Sequence, residues 1–246
     1  MTALLRAELL KLSTTRAFYG YLGFLVAISA IAAAGNAVEA HVFEANDPVF
    51  QRELLSKSVA APLIAFLLGI LSFTVEWRHG SITRTFLVTP RRWRVLAAKE
   101  IQAFALGIGL AVLGVAVAIA VAAPLFSHDG TPLQVDGALL GRIGEIVLAS
   151  ALWGALGAGV GAVVQHQAAA LVGAIVWILV VESLLGALAD WADVNWIGDA
   201  LPRHALDALA GHEAGQSAGA GGAIGVGWVV LFAALAFARI RRQDIT

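Results

Sequence analysis

Two carboxylates, Glu145 and Glu182, stand inside long apolar runs of the chain. Charge in a hydrocarbon setting is costly and usually binds, relays or pairs with something. At ~1.5 Å per residue, Glu182 lies roughly 21 Å along its run, and Glu145 sits near the far end of the run before. Both therefore fall in the same half of two adjacent antiparallel helices. Two readings stand: a substrate- or cation-sensing pair, and structural groups bonded to neighbouring helices or headgroups. A second set, His204, Asp207 and His212, holds three potential ligands within nine residues. That spacing is common by chance, and no metal site is expected. No zincin His-Glu-x-x-His and no Gly-x-Ser-x-Gly is present, so no catalytic residue is assigned. The three lysines are Lys11, Lys57 and Lys99, and none follows a glycine. A P-loop needs Gly-x-x-x-x-Gly-Lys followed by Ser or Thr, so ATP hydrolysis by that route is not expected of this chain.

The elements that must position these residues are apolar helices. Hydrophobic residues make up 59% of the chain and charged residues only 13%, against about 25% charged in a soluble domain. A spanning helix takes about 20 apolar residues. Six such runs follow in order: Ala17–Val38, Val59–Val75, Ile101–Phe126, Ile143–Val164, Ala168–Ala189 and Ala223–Ala238. Gln165, His166 and Gln167 alone separate the fourth from the fifth, which requires a tight helical hairpin. The expected fold is all-α: one polytopic domain over 1–246 with six transmembrane helices. Residues 1–16 read as an interfacial amphipathic helix, with Leu5, Leu9 and Leu12 on one face. Cysteine is absent, which excludes disulfides and thiolate metal sites.

Twelve of the sixteen basic residues lie before the first span, after the second or after the sixth. The positive-inside rule then places both termini in the cytoplasm, and the expected location is a bacterial cytoplasmic membrane. The opposite loops are acidic. The outer segment 190–222 is expected to hold a short helix from Asp199, as its cap, to Ala210. Leu206 and Leu209 would lie on its buried face, and the Gly-rich tract 214–222 would act as a hinge into the last span. Gly157 with Gly161, and Gly221 with Gly225, have the small-xxx-small spacing that permits close helix packing.

The stretch 76–92 carries the most information. It reads Glu76, Trp77, Arg78, His79, Gly80, Ser81, Ile82, Thr83, Arg84, Thr85, Phe86 and on through Pro90 to Arg92, with Lys99 ahead of the third span. Ile82 and Phe86 are at helical spacing, and Gly80 and Pro90 bracket them. A simple basic loop needs no apolar face.

The pattern Glu-x-x-x-Gly-Ser-Ile-x-x-x-x-Leu-x-x-Pro-x-Arg, from Glu76 to Arg92, resembles the ABC-2 type permeases of bacterial ABC exporters, those of drug export and antibiotic self-protection above all. The resemblance implies that 76–92 is a coupling loop docking into a cleft of an ATPase subunit. Glu76, Arg78, Gly80, Ser81, Ile82, Thr83, Arg84 and Phe86 would be its contact region. It implies two copies of an ATP-binding-cassette ATPase and a second permease chain as partners, with lipid around them and no nucleic acid. ATP and Mg would belong to the ATPase, and this chain would hold no cofactor. Alternating access would move an amphipathic or hydrophobic substrate outward. Glu145, Glu182, Leu206 and Leu209 are the substrate or gating candidates, Leu206 and Leu209 as part of an external lid or of a surface helix lying passively in the interface. The alternative is a non-transporting sensor or scaffold subunit of an ATPase complex.

Overall fold

The computed structural model describes residues 6–8, 10–11, 14–39, 46–89, 91–128, 130–212 and 216–242. Among them there is no strand, and six helices are long and apolar enough to cross a membrane. The architecture is all-α and polytopic. In chain order the helices are α1 (Arg16–Glu39), α2 (Pro48–Ser58), α3 (Ala61–Arg78), α4 (Ser81–Val88), α5 (Arg92–His128), α6 (Gly137–Val164) and α7 (Gln167–Val176). A π-helical turn, Trp177–Val181, leads into α8 (Glu182–Trp191), followed by α9 (Asn195–Asp199), α10 (Pro202–Ala210) and α11 (Ala218–Arg242). The spans are α1, α2 with α3, α5, α6, α7 with α8, and α11.

α6 is the hub. Gly157 and Gly161 lie directly against the α3 backbone at Phe66 and Ile70, and Gly154 against Ala103 of α5. A Cβ at any of these would press on a main-chain carbonyl, so the glycines let the axes close up where lipid supplies no hydrophobic drive between helices. Gly69 of α3 and Gly107 of α5 return the contact from the other side. The left-handed Gln165 ends α6, and the His166 ring accepts the Ala169 N–H at 3.3 Å to start α7. That two-residue joint is the expected hairpin.

Several boundaries depart from expectation. α5 has 37 residues, roughly 55 Å at 1.5 Å per residue. It outruns the hydrocarbon core and carries Lys99 and Glu100 within it. α2 was not foreseen, because its residues are too polar to announce a helix in an apolar chain. Asp47 caps it by accepting the Val49 N–H at 2.8 Å, and buried Gln51 ties it to the 131–136 loop through Gln134 N–H at 2.8 Å. Asp199 does not cap a helix reaching Ala210. It closes the short α9, and α10 starts after Leu201 with Pro202 in its first turn, where the missing N–H costs nothing. α11 begins at Ala218, so Gly219, Gly221 and Gly222 are helical rather than part of a linker. Of the expected N-terminal helix, residues 6–8, 10, 11 and 14 are described and helical. Leu5, Leu9, Leu12, Pro90 and 213–215 lie outside the described residues.

Candidate docking site at the basic end of the bundle

α3 ends where Gly80 turns left-handed at φ 64°, a conformation that suits glycine. The chain then reverses into α4. Ile82 and Phe86 are 3% and 5% exposed and pack on Phe73, Val95, Leu96, Ala236 and Ile240. α4 therefore sits on the ends of α3, α5 and α11 together. The Arg92 guanidinium lies over the Phe86 ring at 5.6 Å and donates to the Ile240 carbonyl at 2.8 Å.

Behind α4 four charges close a network. The Lys99 ammonium donates to Glu8 Oε2 at 2.8 Å, Glu76 Oε1 at 2.8 Å and the Ser72 carbonyl at 2.7 Å. All three of its protons are used. The Lys11 ammonium donates to Glu8 Oε1 and Glu76 Oε1, both at 2.7 Å. Two lysines thus balance two glutamates, and Lys99, Glu8 and Glu76 have side chains 1%, 4% and 9% exposed. Burial alone would lower the Lys11 pKa. Its bonds to Glu76 and Glu8 outweigh that and hold it above the ordinary lysine value, so Lys11 stays charged at neutral pH. A buried, fully bonded cluster fixes geometry more surely than it adds stability. It joins the N-terminal segment, α3 and α5 at one point, and the Thr85 and Ser81 hydroxyls of α4 donate to Glu76 Oε2 at 3.5 Å and the Glu76 carbonyl at 3.4 Å.

What α4 leaves outside is different in kind. Arg78, Gly80 and Arg84 are exposed, and Leu87 and Val88 are 74% and 84% exposed. Trp93, just beyond, is half-exposed. Arg78 also reaches the Gln167 side chain at 3.2 Å, closing one edge of a cleft with Trp77, Gln165 and His166. Of the eight residues singled out in 76–86, Glu76, Ile82 and Phe86 face into the bundle, while Arg78, Gly80 and Arg84 face out and Ser81 and Thr83 are half-buried. Glu8, Lys11 and Ser72 were missed. A sequence signal for two of them exists, since Glu8 and Lys11 are three apart and Lys11 is one of only three lysines.

The carboxylates in the spans separate. Glu145 pairs with Arg142 at 2.8 Å and opens on a cavity of about 720 Å³ at the opposite end, with Arg52, Lys57 and His212 around it. Glu182 is wholly buried and accepts the Arg203 main-chain N–H at 2.9 Å. The two do not form a pair. Each line a different cavity, because α10 comes in beside α8 and takes up Glu182. Nor are they the only acids in the spanning helices. Glu100 of α5 is half-buried beside Gly159, and neither of its enclosed carboxylate oxygens has a hydrogen-bond partner among the described residues.

At the opposite end, Leu206 and Leu209 are 0% and 4% exposed and pack with Leu152, Trp153 and Ala210. Gly221 lies on the Ala205 carbonyl, and Gly225 makes room for the Leu206 side chain. His204 lies against Gly186, and His212 meets the Ser56 carbonyl at 3.0 Å, so the two rings diverge. Burial raises the Asp207 pKa, against the pull of His212 and of Arg203 at 3.3 Å.

No protein-family profile matches this chain, and no curated protein does.

Proposed function

We propose that the chain is the permease subunit of an ATP-driven exporter and that α4 with its flanks receives the ATPase. The observation that carries this reading is the two-sided character of α4. Its inner face is fixed by Ile82, Phe86 and the Glu76–Lys99 cluster, while its outer face offers Leu87, Val88 and Arg84 to a partner. A surface that combines exposed apolar side chains with arginine is the composition of a docking patch. The motif resemblance over 76–99 gives that patch its expected partner, an ATP-binding-cassette ATPase.

The mechanism follows from how α4 is held. A push on α4 cannot be absorbed by a flexible loop, because the helix is packed on three spans and hydrogen-bonded to a buried ionic cluster. Closure of two ATPase subunits would be passed to α3, α5 and α11 as one displacement. Glu76, Ile82 and Phe86 act as positioning residues in this scheme, and Arg78, Arg84, Leu87 and Val88 make the contact. A second permease chain completes the pathway. The concentration of Arg and Lys at this end supports a cytoplasmic placement, in this reading within a bacterial plasma membrane, and α10 would then cover the external end as a lid.

The test is affinity purification of the tagged chain from its native membranes. An ATP-binding-cassette ATPase should co-purify at equal stoichiometry with wild type. The Leu87→Asp, Val88→Asp double variant should lose the ATPase yet keep its thermal stability, since both side chains are already in solvent. Capture of no such ATPase, or undiminished capture by the double variant, would refute the docking assignment.

A further inference from the structure

A cavity of about 260 Å³ opens on the flank of the bundle between α6, α7, α8 and α11. Phe66, Trp153, Trp177, Trp228 and Phe232 line it, and among the described residues Glu182 is its sole charged lining residue. The aromatic walls are set. Phe66 and Trp153 meet edge to face at 5.0 Å between ring centres, and the Trp228 N–H is held by the Ala200 carbonyl at 2.8 Å. Trp177 begins the π-helical turn and, though it lines the cavity, is 42% exposed. Turns of this kind widen a helix locally and recur at binding sites.

The charge has no settled role in the fold. Glu182 accepts the Arg203 main-chain N–H and a hydrogen bond from the Trp177 side chain, yet its Oε1 is buried without a close partner among the described residues, and a buried charge that is not fully bonded is costly. The nearest cation is committed elsewhere: the Arg203 guanidinium goes to Asp207 at 3.3 Å, the Ser183 hydroxyl at 3.3 Å and the Ile178 carbonyl at 3.5 Å. His204 turns to Gly186. Arg203 and His204 are near enough to act on Glu182 electrostatically, but the Arg203 guanidinium is bonded to Asp207 rather than to Glu182. Aromatic rings attract cations through their faces, so walls and charge ask for the same ligand. Among the described residues no basic side chain lines the cavity to meet a phosphate, which favours an ammonium ion that carries none. The volume is slightly below the usual ~300–1,000 Å³ of ligand sites, which suits one ring with a small ammonium group.

We propose that this cavity binds a free organic cation, an aromatic or alkyl ammonium ion, with Glu182 as its counter-ion. The site belongs to this chain alone. It is tested without any ATPase, so its failure and that of the transporter reading are seen in separate experiments.

The experiment is titration of the purified full-length protein in neutral detergent with 4-bromobenzyl-trimethylammonium, whose bromine quenches tryptophan fluorescence. The comparison ligand is its uncharged isostere, 4-bromo-neopentylbenzene. Wild type should be half-quenched at a concentration about tenfold lower for the cation, a margin of the size a buried charge with aromatic walls provides. Glu182→Gln keeps the acceptor for Arg203 N–H and should bring the two ligands together. Ala174→Leu, which fills the cavity floor, should remove the quenching by both. Should Glu182→Gln fail to fold, the wild-type preference and the Ala174→Leu titration still decide. A cation preference that survives in Glu182→Gln, equal potency of the two ligands on wild type, or quenching unchanged in Ala174→Leu would each overturn the proposal.

Discussion

The two ends of the bundle each carry a short amphipathic helix, and they use it in opposite ways. α4 has eight residues and α10 has nine. α4 buries two side chains, Ile82 and Phe86, and leaves Leu87 and Val88 almost fully in solvent. α10 buries six of its nine residues, with Leu206 completely enclosed. Their fixings differ as well. α4 is held by hydrogen bonds and an ionic cluster behind it. α10 rests chiefly on close packing, its backbone laid on Gly221 and its leucine set against Gly225, with Arg203 bonding it to Glu182, Ser183 and Ile178. A helix meant to be pushed needs a stiff mount and a free face. A helix that closes an end needs contact all round. The lesson is that amphipathicity alone does not say what a short helix is for, whereas the disposition of its leftover apolar residues shows which face is free for a partner.

The largest effect should come from breaking the mount. Lys99→Met leaves Glu8 and Glu76 facing each other with Lys11 alone. Removing one partner of a buried charge set costs about 3–5 kcal/mol. The expected outcome is a marked fall in the thermal midpoint of the detergent-purified protein, with partial recovery on adding Glu8→Gln. A midpoint unchanged by Lys99→Met would mean that the cluster is not what holds α3, α5 and the N-terminal segment together.

Next comes the plug. Leu206→Ala opens a void against Gly225 and Leu152, which have no side chain free to fill it. Buried Leu→Ala changes cost about 2–5 kcal/mol. The loss should be local, read as faster amide exchange over 202–210 with the spans still protected. A helix that merely rests in the interface would show no change, and that outcome would remove the support for a lid. On the transport reading, Leu206→Asp with Leu209→Asp should also leak or uncouple ATP turnover from export.

Much of this was legible in the chain. Six apolar runs, the hairpin at Gln165–His166 and the amphipathic stretch after Gly80 could all be read from spacing, because long helices in lipid leave a signal that nothing local disguises. Gly157 and Gly161 stood out only as one chance pattern among 26 glycines. Their importance lies in which backbone they meet, and no single sequence states that. The ionic cluster was hidden for a related reason. Glu8, Glu76 and Lys99 are up to 91 residues apart, and pairing across such distances is a property of the packed bundle. Glu145 and Glu182 were correctly marked as unusual, but their separation depends on α10 dipping in beside α8. Helix ends were misjudged where polar residues extend a helix past the apolar run, as at Arg92 and Ala218.

The smallest expected effect sharpens the comparison by pH. α10 carries a titratable group, Asp207, whose pKa burial holds above its ordinary value of 3.8. A carboxyl that binds its proton more tightly when folded adds stability as pH falls. That contribution is complete below 3.8 and is lost as pH rises through the folded value, so α10 should be firmer in acid than at neutral pH. The cluster behind α4 should behave otherwise. Lys11 is held above the ordinary lysine value by its bonds to Glu76 and Glu8, against its burial, so its ammonium stays charged throughout neutral and mildly acidic conditions. Amide exchange at pH 7 and at pH 5, corrected for the intrinsic rate, should slow over 202–210 and stay level over 81–88. Asp207→Asn should remove the pH difference at α10, because an amide does not titrate. Equal slowing at both ends would point to a global effect of acid. A faster exchange at α10 at pH 5 would show that the Arg203–Asp207 pair outweighs the burial of Asp207, reversing the sign argued here.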